Sequence, residues 1–327
     1  MKTEPKVVER IIEALRSSRT VCVVGHLRPD GDCVGSQLGL TLALQAQGKR
    51  VTCWNQDRVP DKYQFLDPDG VIQKPRMGLK FDCVVATDAA TFERLGSVGR
   101  CITSRKLFIN IDHHESNSRY ADVNWVSARE PSTGELVFQL LKAARWPITS
   151  KIADCLFTAV STDTGSFQYA STRPGTFHAA GELVARGANL AKICDEVYQS
   201  YPVSRARLLR QVYRHFRLTH NDQIAYFWLK KADLARTGAD SSDTEGLIDH
   251  IRAIAPVVVA CVFEELDEDL TRISLRSKSD KVNVNEIAGQ FGGGGHPAAA
   301  GARVRGSHLA ARRKVIAAIK RALKAAR

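Results

Sequence analysis

The chain has 327 residues, with 47 Lys plus Arg against 35 Asp plus Glu and a formal net charge of +12. With 44% hydrophobic and 25% charged residues it has a globular composition, which excludes the disordered, collagenous and membrane-embedded classes, and its length suggests two domains. The basic balance suits an anionic partner, whether nucleic acid, a phosphorylated metabolite or a membrane surface, without choosing among them.

The chain begins MKTEPKVVERIIEALRSS, where Val7, Val8, Ile11, Ile12 and Leu15 recur at helical spacing. Lys6, Glu9, Arg10 and Glu13 interrupt that stripe, so it reads as an amphipathic helix and not as the core of a signal peptide. Residues 20–25 (TVCVVG) form a β-branched, buried strand, and residues 34–47 form a helix ended by Gly48. Residues 50–55, 81–87 (FDCVVAT) and 107–111 (LFINI) read as further strands, and residues 132–144, 150–161 and 174–186 as helices. Short apolar strands alternating with helices predict an α/β fold, a doubly wound, mainly parallel sheet covered on both faces.

Beyond residue 191 the pattern changes. Residues 191–218 are helical and polar, and strands follow at 223–229, 257–264 and 271–276. A loop with Gly238, Asp240, Ser241, Ser242 and Asp243, helices near 244–254 and 284–291, a glycine run and a basic terminal helix complete the chain. The expected organisation is a first domain over 1–195, a helical linker over 196–220 and a smaller α/β domain over 221–327. The longest candidate membrane segment, residues 257–263, is far short of the roughly 20 residues a spanning helix needs. The eight cysteines contain no CxxC pair, and Cys22, Cys83 and Cys261 lie in apolar strands as small hydrophobes. This usage predicts a reduced, cytoplasmic protein without disulfides or a thiolate metal site.

The chemistry gathers at strand ends. The first strand runs into His26, Asp30 and Asp32; FDCVVAT ends at Asp88; LFINI ends at Asp112, His113 and His114; an apolar helix runs into Asp163. Taken singly, His26 reads as a structural histidine, Asp30-Gly31 as a turn and Asp88 as a loop cap. Together they fall where open parallel sheets place ligands, at the carboxyl ends of the strands. Converging carboxylates stay ionised only beside cations. Oxygen and imidazole donors suit Mn²⁺, Mg²⁺, Fe²⁺, Co²⁺ or Zn²⁺, and this many ligands fits two metals sharing a carboxylate, an arrangement used for phosphoryl transfer to water.

A second constellation is Gly292, Gly293, Gly294, Gly295 and His296, with Arg276, Ser277 and Lys278 just upstream. Glycine backbone and a guanidinium can cradle a phosphate, although a glycine hinge fits the same residues. No Lys-Ser/Thr follows the glycines, so this is not a Walker loop.

HLRPDGDCVGS, VVATD, IDHHESN and STDTGSF, followed by GGGGHPAAAG, resemble the motif series of the DHH/DHHA1 phosphoesterases over essentially the whole chain. The compact length is most similar to the nanoRNase/pAp-phosphatase branch. The resemblance implies two Mn²⁺ ions, one on His26, Asp30 and Asp88, the other on Asp32, Asp88, His113 and Asp163. It implies His114 beside the scissile phosphate, Asp112 orienting a neighbouring histidine, and Arg276, Ser277 and His296 gripping the remote end of the substrate over the 292–295 backbone. The implied activity is hydrolysis of short oligoribonucleotides and of 3′-phosphoadenosine 5′-phosphate, a nucleoside bisphosphate. Alternatives are a cyclic-dinucleotide or linear pApA phosphodiesterase and, in another class, a non-catalytic nucleic-acid-binding protein. Leu136, Val137, Phe138, Leu140 and Leu141 form a stripe that serves either as core or as a face for a homodimer.

The positive charge is local. Residues 303–327 hold nine basic residues and no acid, and residues 204–217 hold five arginines and no acid, together more than the net charge of the chain. Val315, Ile316, Ile319 and Leu323 give the terminal helix an apolar side, so its charges read as a solvated face.

Overall fold

The computed structural model describes residues 4–240 and 243–326; Ser241, Ser242 and Arg327 of the expected loop and basic terminus lie outside the described residues. The chain divides into two compact units, Met1–Ser200 and Tyr201–Arg327.

The first unit runs α1 (Glu4–Ser17), β1 (Thr20–Val24), α2 (Gly31–Ala46), β2 (Arg50–Trp54), β3 (Ile72–Gln73), β4 (Phe81–Thr87), α3 (Val98–Cys101), β5 (Arg105–Asp112) and β6 (Val123–Val126). It continues through α4 (Thr133–Ala144), α5 (Ser150–Asp163), α6 (Pro174–Ala185) and α7 (Leu190–Cys194). The strand order is β3-β2-β1-β4-β5-β6, and every neighbouring pair is parallel. Val21, Val23, Val85 and Ile109 pack on one face with α1, α4 and α5, while Cys22, Val24, Val84 and Phe108 pack on the other with Leu95, Val98 and Ile102. Both faces are therefore buried, which is why the strands read as continuous apolar runs. The chain leaves β1 outward to β2 and β3 and returns on the other side at β4. That reversal opens a crevice at the carboxyl ends of β1 and β4.

Two differences from the sequence expectation shape the crevice. The helix expected from residue 34 begins at Gly31, because the Asp30 carboxylate accepts the Cys33 N–H at 3.0 Å and caps it. Asp30-Gly31-Asp32 is thus a helix N-terminus and not a free turn. That helix lies close against α5: a Cβ on Gly31 would come within 2.4 Å of Thr162 Oγ1, and one on Gly35 within 2.3 Å of the Cys155 carbonyl. The stripe from Leu136 to Leu141 lies in the core, with Leu136, Val137, Phe138, Leu140 and Leu141 at most 4% exposed, so it offers no face to a partner.

The second unit runs α8 (Val203–His215), β7 (Arg217–Thr219), β8 (Ile224–Leu229), α9 (Lys231–Thr237), α10 (Leu247–Arg252), β9 (Val259–Asp267), β10 (Leu270–Ser277), α11 (Val284–Gly289), β11 (Gly294–His296), β12 (Ala299–Arg305) and α12 (His308–Ala325). Its sheet has the order β11-β12-β10-β9-β8-β7, antiparallel except between β8 and β9. Leu208 and Val212 of α8 pack on Ala225, Phe227 and Leu247, so this part of the segment expected as a linker is packed into the second unit. Val315, Ile319 and Leu323 of α12 are buried in the other face, and Arg313, Lys314, Arg321 and Lys324 are exposed. Among the described residues no helix is long and apolar enough to cross a membrane.

Candidate metal and phosphate site

The reversal point of the first sheet holds the acidic cluster. His26 Nε2 lies 3.2 Å from Asp88 Oδ2 and 3.7 Å from Asp30 Oδ1. His113 Nε2 lies 3.6 Å from Asp32 Oδ2, 3.5 Å from Asp88 Oδ1 and 3.3 Å from Asp163 Oδ2. Asp88 turns one oxygen to each histidine and stands between two donor sets. It holds this place with a left-handed backbone, φ 58°, strained for a residue with a side chain, while its N–H bonds the Ile111 carbonyl of β5 at 3.0 Å.

Asp112 does something different. Its Oδ1 lies 2.8 Å from His114 Nδ1, and its Oδ2 accepts from Asn117 Nδ2 at 2.6 Å. The pair fixes the ring of His114 through its Nδ1. Burial opposes protonation of His114, but the charge and hydrogen bond of Asp112 outweigh it and raise the pKa to about 9. The same ion pair outweighs burial at Asp112 and holds that carboxyl well below the usual range.

The carboxylates show what the site lacks by itself. Asp32 and Asp88 are 1% and 2% exposed. Burial, with the charges of Asp88, Asp163 and Asp30, pushes Asp32 well above the carboxylate range, and burial pushes Asp88 up as well. Acids that raise one another in this way are relieved by bound cations. Oxygen and imidazole donors converging within 4.8 Å of one another in several groups fit a hard or borderline divalent ion.

Several members of this site carried no motif. The N-terminus of α4, capped by Ser132 through the Glu135 N–H at 3.1 Å, closes on Asp32. Thr133 N–H donates to its Oδ2 at 2.7 Å and Gly134 N–H to its Oδ1 at 2.8 Å. Thr133 Oγ1 donates to Asp88 Oδ1 at 3.1 Å. Cys33 Sγ accepts the His26 N–H at 3.3 Å and lies near the ligand atoms of His26 and Asp88. Cysteine spacing, with no CxxC pair in the chain, predicts no thiol there. Ser-Thr-Gly before an apolar helix was a visible capping signal; its target was not.

The second unit gathers part of the other constellation by strand register. Arg276 on β10 and His296 on β11 both pair opposite Ala299 of β12, so the two side chains stand on one face, about 10 Å apart across two strand spacings. Arg276 Nε is buried without a hydrogen-bond partner, an N–H in need of an acceptor. Lys278 is turned elsewhere, its ammonium donating to the Ile254 and Ala255 carbonyls at 2.7 and 3.2 Å. Ser277 is buried and donates to the Ser279 carbonyl at 2.9 Å. The glycine run is neither an open cradle nor a hinge: residues 294–296 form an edge strand. A Cβ on Gly293 would meet the Gly301 carbonyl at 2.1 Å, and Gly295 has φ 148°, so both positions require glycine.

Residues 20–160 match the DHH family, N-terminal domain, and residues 221–325 the DHHA1 domain. A bifunctional oligoribonuclease and PAP phosphatase NrnA of Thermus thermophilus is 31% identical over 313 residues, which span 93% of this chain and 89% of that protein. The chain belongs to the DHH family. The Bacillus subtilis protein of the same name as the Thermus one is 28% identical to this chain, over 93% of both chains. The crystal structure of an exopolyphosphatase-related protein from Bacteroides fragilis matches with a TM-score of 0.87 at 26% identity, covering 97% of this chain and 96% of that one. The DHH triplet that gives the family its name is Asp112-His113-His114 here, at the end of β5.

Proposed function

We propose that this DHH-family chain is a divalent-cation-dependent phosphoesterase that cleaves short oligoribonucleotides to mononucleotides and 3′-phosphoadenosine 5′-phosphate to AMP. The observation that carries the reading is the convergence of His26, Asp30, Asp32, Asp88, His113 and Asp163 where the strand order reverses, in a chain similar over most of its length to an oligoribonuclease and PAP phosphatase. His26, Asp30 and Asp88 would hold one cation and Asp32, Asp88, His113 and Asp163 the other, with Mn²⁺ the ion that the family resemblance implies among the divalent ions this oxygen and imidazole set accepts. Bound there, the cations supply acidified water as nucleophile and positive charge for the phosphoryl oxygens.

The chain's own groups do the rest. Thr133 and Gly134 N–H donors aim both oxygens of Asp32 and favour its ionised form against the burial and neighbouring carboxylates that oppose it. Asp112 accepts from His114 Nδ1 and leaves Nε2–H to donate to a phosphoryl oxygen or the departing one. Arg276 and His296, on one face of their sheet with Ala299 between them, would bind the far phosphate or terminal nucleotide; Ser277 bonds the Ser279 carbonyl in the turn that follows, and residues 294–296 form the neighbouring edge strand. Binding energy from the unreacting end can then position the reacting phosphate. Six of the eight unpaired cysteines are buried, which suits a reducing, cytoplasmic setting.

The test is a panel of dinucleotide, five-mer, twenty-mer, 3′-phosphoadenosine 5′-phosphate and cyclic di-AMP, each with Mn²⁺ or Mg²⁺. The reading expects mononucleotide from the dinucleotide and AMP from the bisphosphate. No turnover of either, or unchanged turnover by folded His113→Ala protein, would refute it; turnover of cyclic di-AMP alone would transfer the chain to the cyclic-dinucleotide class.

A further inference from the structure

Arg94 brings a guanidinium to the edge of the Asp/His cluster, and no sequence motif singled it out. It lies in the short turn Phe92–Leu95 that follows β4. Its own carbonyl accepts the Leu27 N–H at 2.7 Å, which ties the turn to the loop after β1. Two residues on, Gly96 has φ 58°, and a Cβ there would stand 2.5 Å from Leu27 Cδ2, so the turn is held tightly against the loop that carries His26. The side chain is otherwise exposed.

Arg94 Nη2 lies 2.9 Å from His26 Nδ1, and the Leu27 carbonyl oxygen lies 2.8 Å from the same nitrogen. A guanidinium can only donate and a carbonyl can only accept. One ring nitrogen serves one of them at a time. When His26 offers its Nε2 lone pair to a cation, its proton resides on Nδ1 and is donated to the Leu27 carbonyl. Arg94 then has no acceptor on the histidine, yet remains one imidazole ring away from the cation-facing atom with its planar fork open to solvent.

We infer that Arg94 is a substrate-binding residue of this site, its guanidinium turning from His26 to the non-bridging oxygens of the phosphate being cleaved. A planar fork with parallel N–H donors matches two such oxygens, which an ammonium cannot do. The inference rests on the phosphoesterase reading, deepening it by naming the group that receives the anion as the cations come in.

The test compares the full chain with Arg94→Ala and Arg94→Lys, measuring by calorimetry first Mn²⁺ binding and then binding of inorganic phosphate, the cleaved group itself, at saturating Mn²⁺. The expected result is Mn²⁺ affinity within twofold of the parent and phosphate affinity about 10-fold or more weaker in Arg94→Ala, with only partial recovery in Arg94→Lys. KM for 3′-phosphoadenosine 5′-phosphate should rise in parallel. Unchanged phosphate affinity overturns the inference, and a fall in Mn²⁺ affinity alone assigns Arg94 to holding His26 instead. If the parent binds phosphate in an Arg94-dependent way yet hydrolyses nothing in the panel, the proposed function fails while Arg94 still stands as a phosphate-binding residue of this site.

Discussion

In the first unit the decisive charges point inward: Asp32, Asp88 and Asp112 are all at most 2% exposed, fixed by strand ends, a strained backbone and a helix N-terminus. In the second unit most charge points outward, along α12 and α8, and Arg276 and His296 are aligned only by strand register. The difference shows what each kind of charge can do. Buried acids in mutual repulsion demand particular counter-charges at particular places. Exposed cations are screened within about 8 Å at physiological ionic strength and act mainly on encounter. Net charge, the most conspicuous property of the composition, therefore says least about the chemistry.

The comparison breaks first at Asp88. Asp88→Ala removes the carboxylate that faces both His26 and His113, and dinucleotide hydrolysis should fall about a thousandfold, equivalent to roughly 4 kcal/mol of transition-state stabilisation. A loss of less than tenfold, with native circular dichroism, would show that the inward cluster is not the reacting centre.

Asp112→Asn is the next largest. Altering a partner that orients a functional histidine costs about 10–100-fold. The sign of its pH effect is also set: Asp112 raises the pKa of His114 to about 9, so neutralising it lowers that pKa and should move the alkaline limb of the rate profile to lower pH. A profile that stays in place would detach Asp112 from His114.

Arg276→Ala tests the second unit where its charge is specific. KM for the oligonucleotide and the bisphosphate should rise about tenfold and kcat should fall with it, the signature of remote binding that positions the reacting phosphate. Neutralising Arg313, Lys314 and Arg321 together on the outer side of α12 should have the smallest effect, less than about threefold in kcat/KM at 0.15 M salt, growing only as salt is lowered. A larger loss at physiological salt would make α12 part of a binding surface and erase the contrast.

The parts legible from sequence were those where chemistry follows an apolar strand without a gap. TVCVVG into His26, FDCVVAT into Asp88 and LFINI into Asp112 each announce a strand and what it delivers. The continuous apolar runs likewise mark the parallel sheet, because strands buried on both faces have no polar side. The missing parts come from approach in space. Thr133 and Gly134 reach Asp32 only because α4 begins above it, and Arg94 reaches His26 only through the Leu27 hydrogen bond. The edge strands β3 and β6 are two and four residues long, too short for a period to declare itself. Lys278 shows the same limit: sequence places its ammonium beside the glycine run, and only the fold reveals the Ile254 and Ala255 carbonyls to which it donates.

The most direct test of the central claim is a Mn²⁺ titration of metal-stripped full-length protein, with bound metal counted by calorimetry and dinucleotide hydrolysis assayed at each point. Two ions per chain are expected, with cleavage rising as the second binds and both stoichiometry and activity collapsing in Asp88→Ala. Cleavage without bound metal, or two ions still held by Asp88→Ala with activity intact, would contradict the account.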